Sequence, residues 1–204
     1  MLETEAQLRD VIGSPTPVVA GKIAERLNDI FKRYIEESPF VCIATSNAQG
    51  ELDVSPRGDP PGFVRIVDDR TLLIPDRPGN RIADSLTNIL ETGRIAVLFL
   101  VPGIGDTFRV NGSAVIVDDP DLLEPSAVEG KVPKLGILVT VVQAYTQCSK
   151  ALLRSELWNP EKHVDPKAMP TSGEMLKAVS DPKLDVEEYE RARADRYRRR
   201  EGFY

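Results

Sequence analysis

Apolar residues recur at helical spacing through the first forty positions of the chain. Thr4 to Ile12 reads as a short helix, stopped at Gly13-Ser14-Pro15. Val19 to Glu37 reads as a longer one, because Ile23, Leu27, Ile30, Phe31 and Tyr34 would share one face. Ser38-Pro39 ends it, since a residue before proline avoids the helical region. From Phe40 the period changes. FVCIATS is a partly β-branched strand ending at NAQGE, and Leu52 to Ser55 pairs back across that turn as a hairpin. PRGDPPG is a loop, Phe63 to Val67 a short strand, and Thr71 to Ile74 another. Asn80 to Glu91 is a helix with Ile82, Leu86, Ile89 and Leu90 inward, closed by Gly93.

Ile95 to Val101 is a continuous apolar strand. Thr107 to Val117 alternates, with Phe108, Val110, Ala114 and Ile116 on one side and Arg109, Asn111 and Ser113 on the other. Gly112 inside it marks a bulge or a close backbone approach. After an excursion over 120–133, Lys134 to Gln147 is the longest strand, and Ser149 to Leu157 a helix. Beyond Trp158 a polar, Pro-broken stretch leads to a short helix at Met175 to Val179. A charged helix follows over 185–200, acids first and arginines later, which suits the helix dipole. Short links between most strands argue against βαβ crossovers and for an antiparallel barrel. The order divides the chain into N-terminal helices (1–38), a β domain (39–160) and a partly helical extension (161–204).

Composition narrows the chemistry. An apolar share of 41% and a charged share of 28% over 204 residues exclude global disorder and fit one globular domain. The two cysteines, Cys42 and Cys148, are too few for a disulfide scaffold and read as buried thiols. A single histidine, His163, leaves no His-rich metal site, and a Ser-His-Asp triad would have to use it. A net charge of −6 argues against general nucleic-acid binding. The N-terminus lacks a basic-then-apolar secretory pattern. The longest uncharged run, Leu135 to Ser149, is too short to span a bilayer. The expectation is a soluble cytoplasmic protein with no membrane partner.

Three constellations could carry chemistry. Ser55-Pro56-Arg57-Gly58-Asp59 lies where a strand meets a Gly/Pro-rich loop. It is either an anion clamp or a tight turn with a surface ion pair between Arg57 and Asp59. Pro75-Asp76-Arg77-Pro78-Gly79-Asn80-Arg81 ends a strand and opens a helix. Unpaired helix N–H groups with Asn80 and Arg81 are what a phosphate needs, and capping by Asn80 is the plainer reading. Lys150, Arg154 and Trp158 recur every four positions and would share a helix face. They would cover a planar ring or meet a partner subunit, or the Trp is a core residue beside solvated cations. No general acid–base pair stands out.

SPFVCIATSNAQGELDVSPRGD, LLIPDRPGNRIADSLTNIL, RIAVLFLVPGIGDTFRVNGSA and QCSKALLRSELW together resemble the FMN-binding split-barrel superfamily. More narrowly they resemble its bacterial branch of pyridoxamine 5′-phosphate oxidase-related FMN-binding proteins. DVSPRGD and PDRPGNR are the specific blocks. The resemblance implies a mainly β fold with flanking helices: a six-stranded antiparallel Greek-key split barrel that dimerises, with FMN in a groove between subunits. Asn80-Arg81 matches the family's phosphate-holding Ser-Arg pair, and Ile82 stands where the oxidase has a lysine. Arg57 would compensate from the second strand. Backbone groups of Ser55, Leu73, Ile74 and Pro75 would line the flavin ring, Pro56 would join the cofactor-binding set, and Lys150, Arg154 and Trp158 would approach from the other subunit or cover the site. The oxidases' substrate-binding Arg and His motif is missing, so FMN binding is better supported than vitamin B6 oxidation. The resemblance thus implies an FMN-dependent oxidoreductase acting on a small substrate. A non-catalytic flavin-binding module, or a barrel binding haem or a deazaflavin, is the alternative.

Overall fold

Alternation of buried and open positions in the strands builds the sheet on which everything else rests. The protein is described by a computed structural model covering residues 1–204. In β1 (Phe40–Ser46), Val41, Ile43 and Thr45 point inward, while Cys42 and Ala44 face the other side. β2 (Leu52–Gly58) and β5 (Arg94–Leu100) flank it, both antiparallel. β3 (Arg65–Ile66), β4 (Thr71–Pro75), β6 (Thr107–Val117) and β7 (Gly136–Gln147) complete one sheet of seven strands in the order β2-β1-β5-β6-β7-β4-β3. The resemblance implies six strands; the seventh is the two-residue β3, paired with β4 inside the short strand expected over 63–67. β2 and β3 are the sheet's two edges, and no ladder joins them.

The inward residues form one core. Phe108 is its centre, with Phe31, Tyr34 and Phe99 packed on its ring at centroid separations of 4.9, 5.8 and 5.8 Å. Phe31 and Tyr34 come from α3 (Asp29–Glu36), the only part of the expected Val19–Glu37 helix that forms as a long turn sequence. The remainder breaks after α2 (Pro17–Ala20). Ala24 exchanges two backbone hydrogen bonds with Ala144 of β7, and the Leu27 N–H donates to Asp69. Those extended pairings replace helical ones, and Asn28 then caps α3. Leu27 stays buried, while Ile23 and Ile30 are exposed. A separate helix, α1 (Glu5–Ile12), forms as expected behind a Thr4–Gln7 capping box.

The helix after β4 starts later than the pattern predicts. α4 (Asp84–Thr92) leaves Ile82 outside it, and Leu90 faces solvent. Its buried face is Ser85, Asn88 and Ile89. Asn88 donates to Thr45 Oγ1 at 3.0 Å, which satisfies two buried polar groups and ties α4 to β1. Gly93 ends it in the left-handed conformation. The short α5 (Pro120–Leu123) lies in the link to β7. α6 (Lys150–Ser155) follows β7, and α7 (Ser172–Val179) packs against α8 (Val186–Arg198). No helix is long and apolar enough to cross a membrane. The cysteines are less buried than expected: Cys42 is on the sheet's outer side and Cys148 is exposed past the end of β7.

The β6–β7 register shifts between Asn111 and Gly112, as the glycine predicts. A Cβ at Gly112 would lie 2.1 Å from the Thr140 carbonyl oxygen. Backbone cannot yield by that much without breaking the ladder. Gly112→Ala should therefore destabilise the fold by about 3 kcal/mol, the upper range for overpacking, read as the shift in a urea unfolding midpoint.

Candidate functional site

Three chain segments meet beside the β2 edge. Residues 53, 55 and 57 of β2 are half-buried while their neighbours are exposed, so Asp53, Ser55 and Arg57 face a common space. β4 ends on the buried Pro75, and the Asp76 N–H donates to the Leu135 carbonyl at 2.9 Å. That bond holds the loop after β4 against residues 131–135, which lead into β7. The segments enclose a groove of about 1100 Å³. Ser55, Pro56, Arg57, Pro75, Asn80 and Arg81 all line it.

The loop carrying Asn80 and Arg81 differs from its sequence reading. Arg81 and Ala83 each have φ +64°. Non-glycine residues pay for that conformation sterically, and it concentrates at ligand sites. The Asn80 side-chain oxygen accepts from the Ile82 N–H at 3.0 Å, which tightens this turn and does not cap α4. Arg81 therefore precedes the helix and is presented by the strained turn itself.

Charge pairing in the groove is uneven. Asp59 does not pair with Arg57, as adjacency suggested. Its carboxylate, 2% exposed, accepts from Arg77 Nε at 2.7 Å and from the Tyr204 hydroxyl at 2.6 Å. Arg77 also donates to the Ser126 carbonyl at 2.9 Å and lies 5.2 Å from the centroid of the Tyr204 ring. The bond to Asp59, with burial second, pushes the Tyr204 hydroxyl above its ordinary range. Arg57 is left to donate to Ser55 Oγ at 2.5 Å and to the Pro56 carbonyl at 2.8 Å. Arg57, Arg81 and Lys134 line the groove with no carboxylate within 4.0 Å, while Lys131, also in its lining, donates to the Tyr204 main-chain oxygen at 3.3 Å. Asp53 accepts from Ser85 Oγ at 2.5 Å. Burial raises the Asp76 carboxyl above the usual range, against the opposing pull of Arg57 and Arg77. Guanidinium groups without a carboxylate partner, in an excess of positive charge, suit a phosphate. The donor set thus fits the phosphate of FMN.

Other expected site residues lie elsewhere. Leu73 and Ile74, expected to contribute backbone groups, are fully buried in the ladder with β7 and are not part of the groove's lining. Lys150, Arg154 and Trp158 do not line it either. α6 stops at Ser155 because Glu156 turns left-handed, which takes Trp158 off the Lys150–Arg154 face. The Trp158 indole N–H donates to the Ile104 carbonyl at 2.9 Å. Sequence reasoning missed Lys131, Lys134 and Tyr204. No local pattern marks the lysines, and Tyr204 meets Asp59 across 145 positions.

Residues 27–148 match the sequence model of pyridoxamine 5′-phosphate oxidase. The chain belongs to this family. The matched span holds all seven strands and every groove residue except Gly202 and Tyr204. No curated protein matches the chain. Among solved structures, HupZ of Group A Streptococcus is 20% identical, over 60% of this chain and 95% of that one, with a TM-score of 0.50. A protein of the pyridoxinephosphate oxidase family from Clostridium acetobutylicum, related to general stress protein 26, is 13% identical. That match spans 62% and 99% of the two chains, with a TM-score of 0.42. An F420 reductase is 16% identical, over 59% and 98%, with a TM-score of 0.42. At such identities the likeness to HupZ speaks for the fold alone.

Two outcomes test this electrostatic picture. Asp59→Ala leaves the Arg77 cation largely buried without its partner, and should cost about 3–5 kcal/mol of unfolding free energy, measured by denaturant titration. Asp76 has its folded pKa above its unfolded value, so its ionised form disfavours the fold. Stability from this group is full below the unfolded pKa and is lost as pH rises through the folded one. Asp76→Asn should therefore melt higher than wild type at neutral pH, and the gap should shrink toward about pH 4.

Proposed function

We propose that this chain is an FMN-binding flavoprotein that acts as an FMN-dependent oxidoreductase on a small substrate. The observation that carries the reading is the set of cations without carboxylate partners, Arg57, Arg81 and Lys134, around one groove. Family membership supports it, since the matched span contains those residues. Arg57 and Arg81 hold the phosphate from two sides, one on β2 and one on the strained turn, and the Asn80 amide stands beside Arg81. The main chain at Ser55–Pro56 and Pro75 flanks the ring. The Asp59–Arg77–Tyr204 cluster keeps the far wall in place. When bound, FMN supplies the two-electron chemistry, and the protein supplies binding, orientation and electrostatics.

In this reading the sheet is the family's split barrel, formed by six strands with β3 as an addition, and two copies complete the site. The outer face carries Cys42, Ala44, Ala96 and Leu98 in register. The β2 edge exposes Leu52 and Val54, an apolar surface that a second copy would cover. Lys150, Arg154 and Trp158 would then reach the partner's groove. A second reading, a flavin-binding module without turnover, is favoured by the groove's lining, which holds no histidine or cysteine. Oxidation of NAD(P)H by the FMN-loaded protein separates the two.

Titration of FMN into the flavin-free protein, followed by flavin fluorescence, tests the assignment. Saturable binding is expected. Arg81→Ala should weaken it by about 1.5–3 kcal/mol, roughly 10- to 150-fold, the scale of a hydrogen bond to a charged group. Unchanged affinity in that variant would remove Arg81 from the site.

A further inference from the structure

One carboxylate in the groove lacks a donor from the chain. Asp53 accepts from Ser85, and Asp59 accepts from both Arg77 and Tyr204. Asp84 is exposed in the first turn of α4. Asp76 is half-buried and lines the groove, yet its carboxylate makes no hydrogen bond and no ion pair, although its own N–H is pinned to Leu135. Pro75 on one side is buried, and Arg77 on the other is engaged by Asp59 and Ser126. The Asp76 side chain is therefore fixed at the groove by the end of β4 and is not a free loop residue.

The Asp76 oxygens keep contact with solvent, so water is their donor in the free protein. Nothing in the chain's own packing uses this carboxylate. Arg57 and Arg77 favour its charge from a distance, and Arg77 is already committed. A ligand that fills the groove displaces that water, and must bring a donor of its own or leave the carboxylate unpaired. A ligand whose phosphate sits on Arg57 and Arg81 would bring such a donor if it carried N–H or O–H groups.

We propose that Asp76 is a ligand-contacting residue, whose carboxylate accepts a hydrogen bond from an N–H or O–H donor of the phosphorylated ligand held by Arg57 and Arg81. The inference rests on the FMN reading and deepens it, because FMN carries such donors in its imide and its ribityl chain. It assigns the groove a two-sided requirement: an anion at one end and a donor at the other.

The test titrates FMN into full-length wild type, Asp76→Leu and Asp76→Asn, and records the flavin absorption band of each complex and the melting temperature of each flavin-free protein. Asp76→Leu should weaken FMN about tenfold or more. Asp76→Asn keeps an acceptor oxygen, so it should stay within about threefold of wild type and shift the flavin band. Both flavin-free variants should melt at or above wild type. Equal or tighter FMN binding by Asp76→Leu, with wild-type binding intact, overturns this inference and leaves the FMN reading standing. Lower melting temperatures in both flavin-free variants would make Asp76 a structural partner and overturn it too. Failure of wild type to bind FMN overturns both.

Discussion

The buried carboxylate of Asp59 decides how charge is shared across this groove. It takes Arg77 and the Tyr204 hydroxyl, and so joins the end of β2, the loop after β4 and the C-terminal segment. A buried charge of this kind persists only when its partners are fixed. Two consequences follow. The loop after β4 is clamped at Arg77, which sets where Arg81 can stand. Arg57, two residues from Asp59 in sequence, is released from pairing with it and faces the groove with an unneutralised guanidinium. The same ion pair thus both builds the wall and leaves the cations that a phosphate would meet.

The groove carries its costs where a ligand would sit. Left-handed backbone at Arg81 and Ala83 and the carboxylate of Asp76, which takes no donor from the chain, all fall within five residues of Pro78. The core beneath shows no comparable strain: nineteen buried apolar residues form one cluster around Phe108. Left-handed non-glycine backbone also occurs at Glu129, Glu156 and Arg200, but Arg81 and Ala83 alone of the five line the groove, where such strain fits a ligand site.

The sheet was largely legible in the sequence because period-two alternation depends on local burial. FVCIATS and Thr107 to Val117 run as strands at their expected limits, and Gly112 marks the bulge because no side chain fits against Thr140. The 19–37 helix was misread because tertiary bonds decide it: Ala24 pairs with Ala144, more than a hundred residues on, and helical periodicity cannot register that competitor. Trp158 leaves the Lys150–Arg154 face where Glu156 turns left-handed, and its indole N–H then bonds to Ile104, a partner that helical spacing cannot register. At the groove, Arg57 and Arg81 stood out from motif and loop chemistry. The partner of Asp59 did not, because Arg57 is its neighbour in sequence while Arg77 and Tyr204 are its neighbours in space. Lys131 and Lys134 had no local signature at all.

The central claim is that unpaired cations in this groove grip a phosphate attached to a flavin. Comparing the dissociation constants of FMN and riboflavin for the same protein, at low and high salt, tests it most directly. The account predicts that FMN binds at least about tenfold tighter than riboflavin, with the advantage falling as salt screens the exposed part of the field. Equal affinity for the two flavins, or no binding of either, would contradict it.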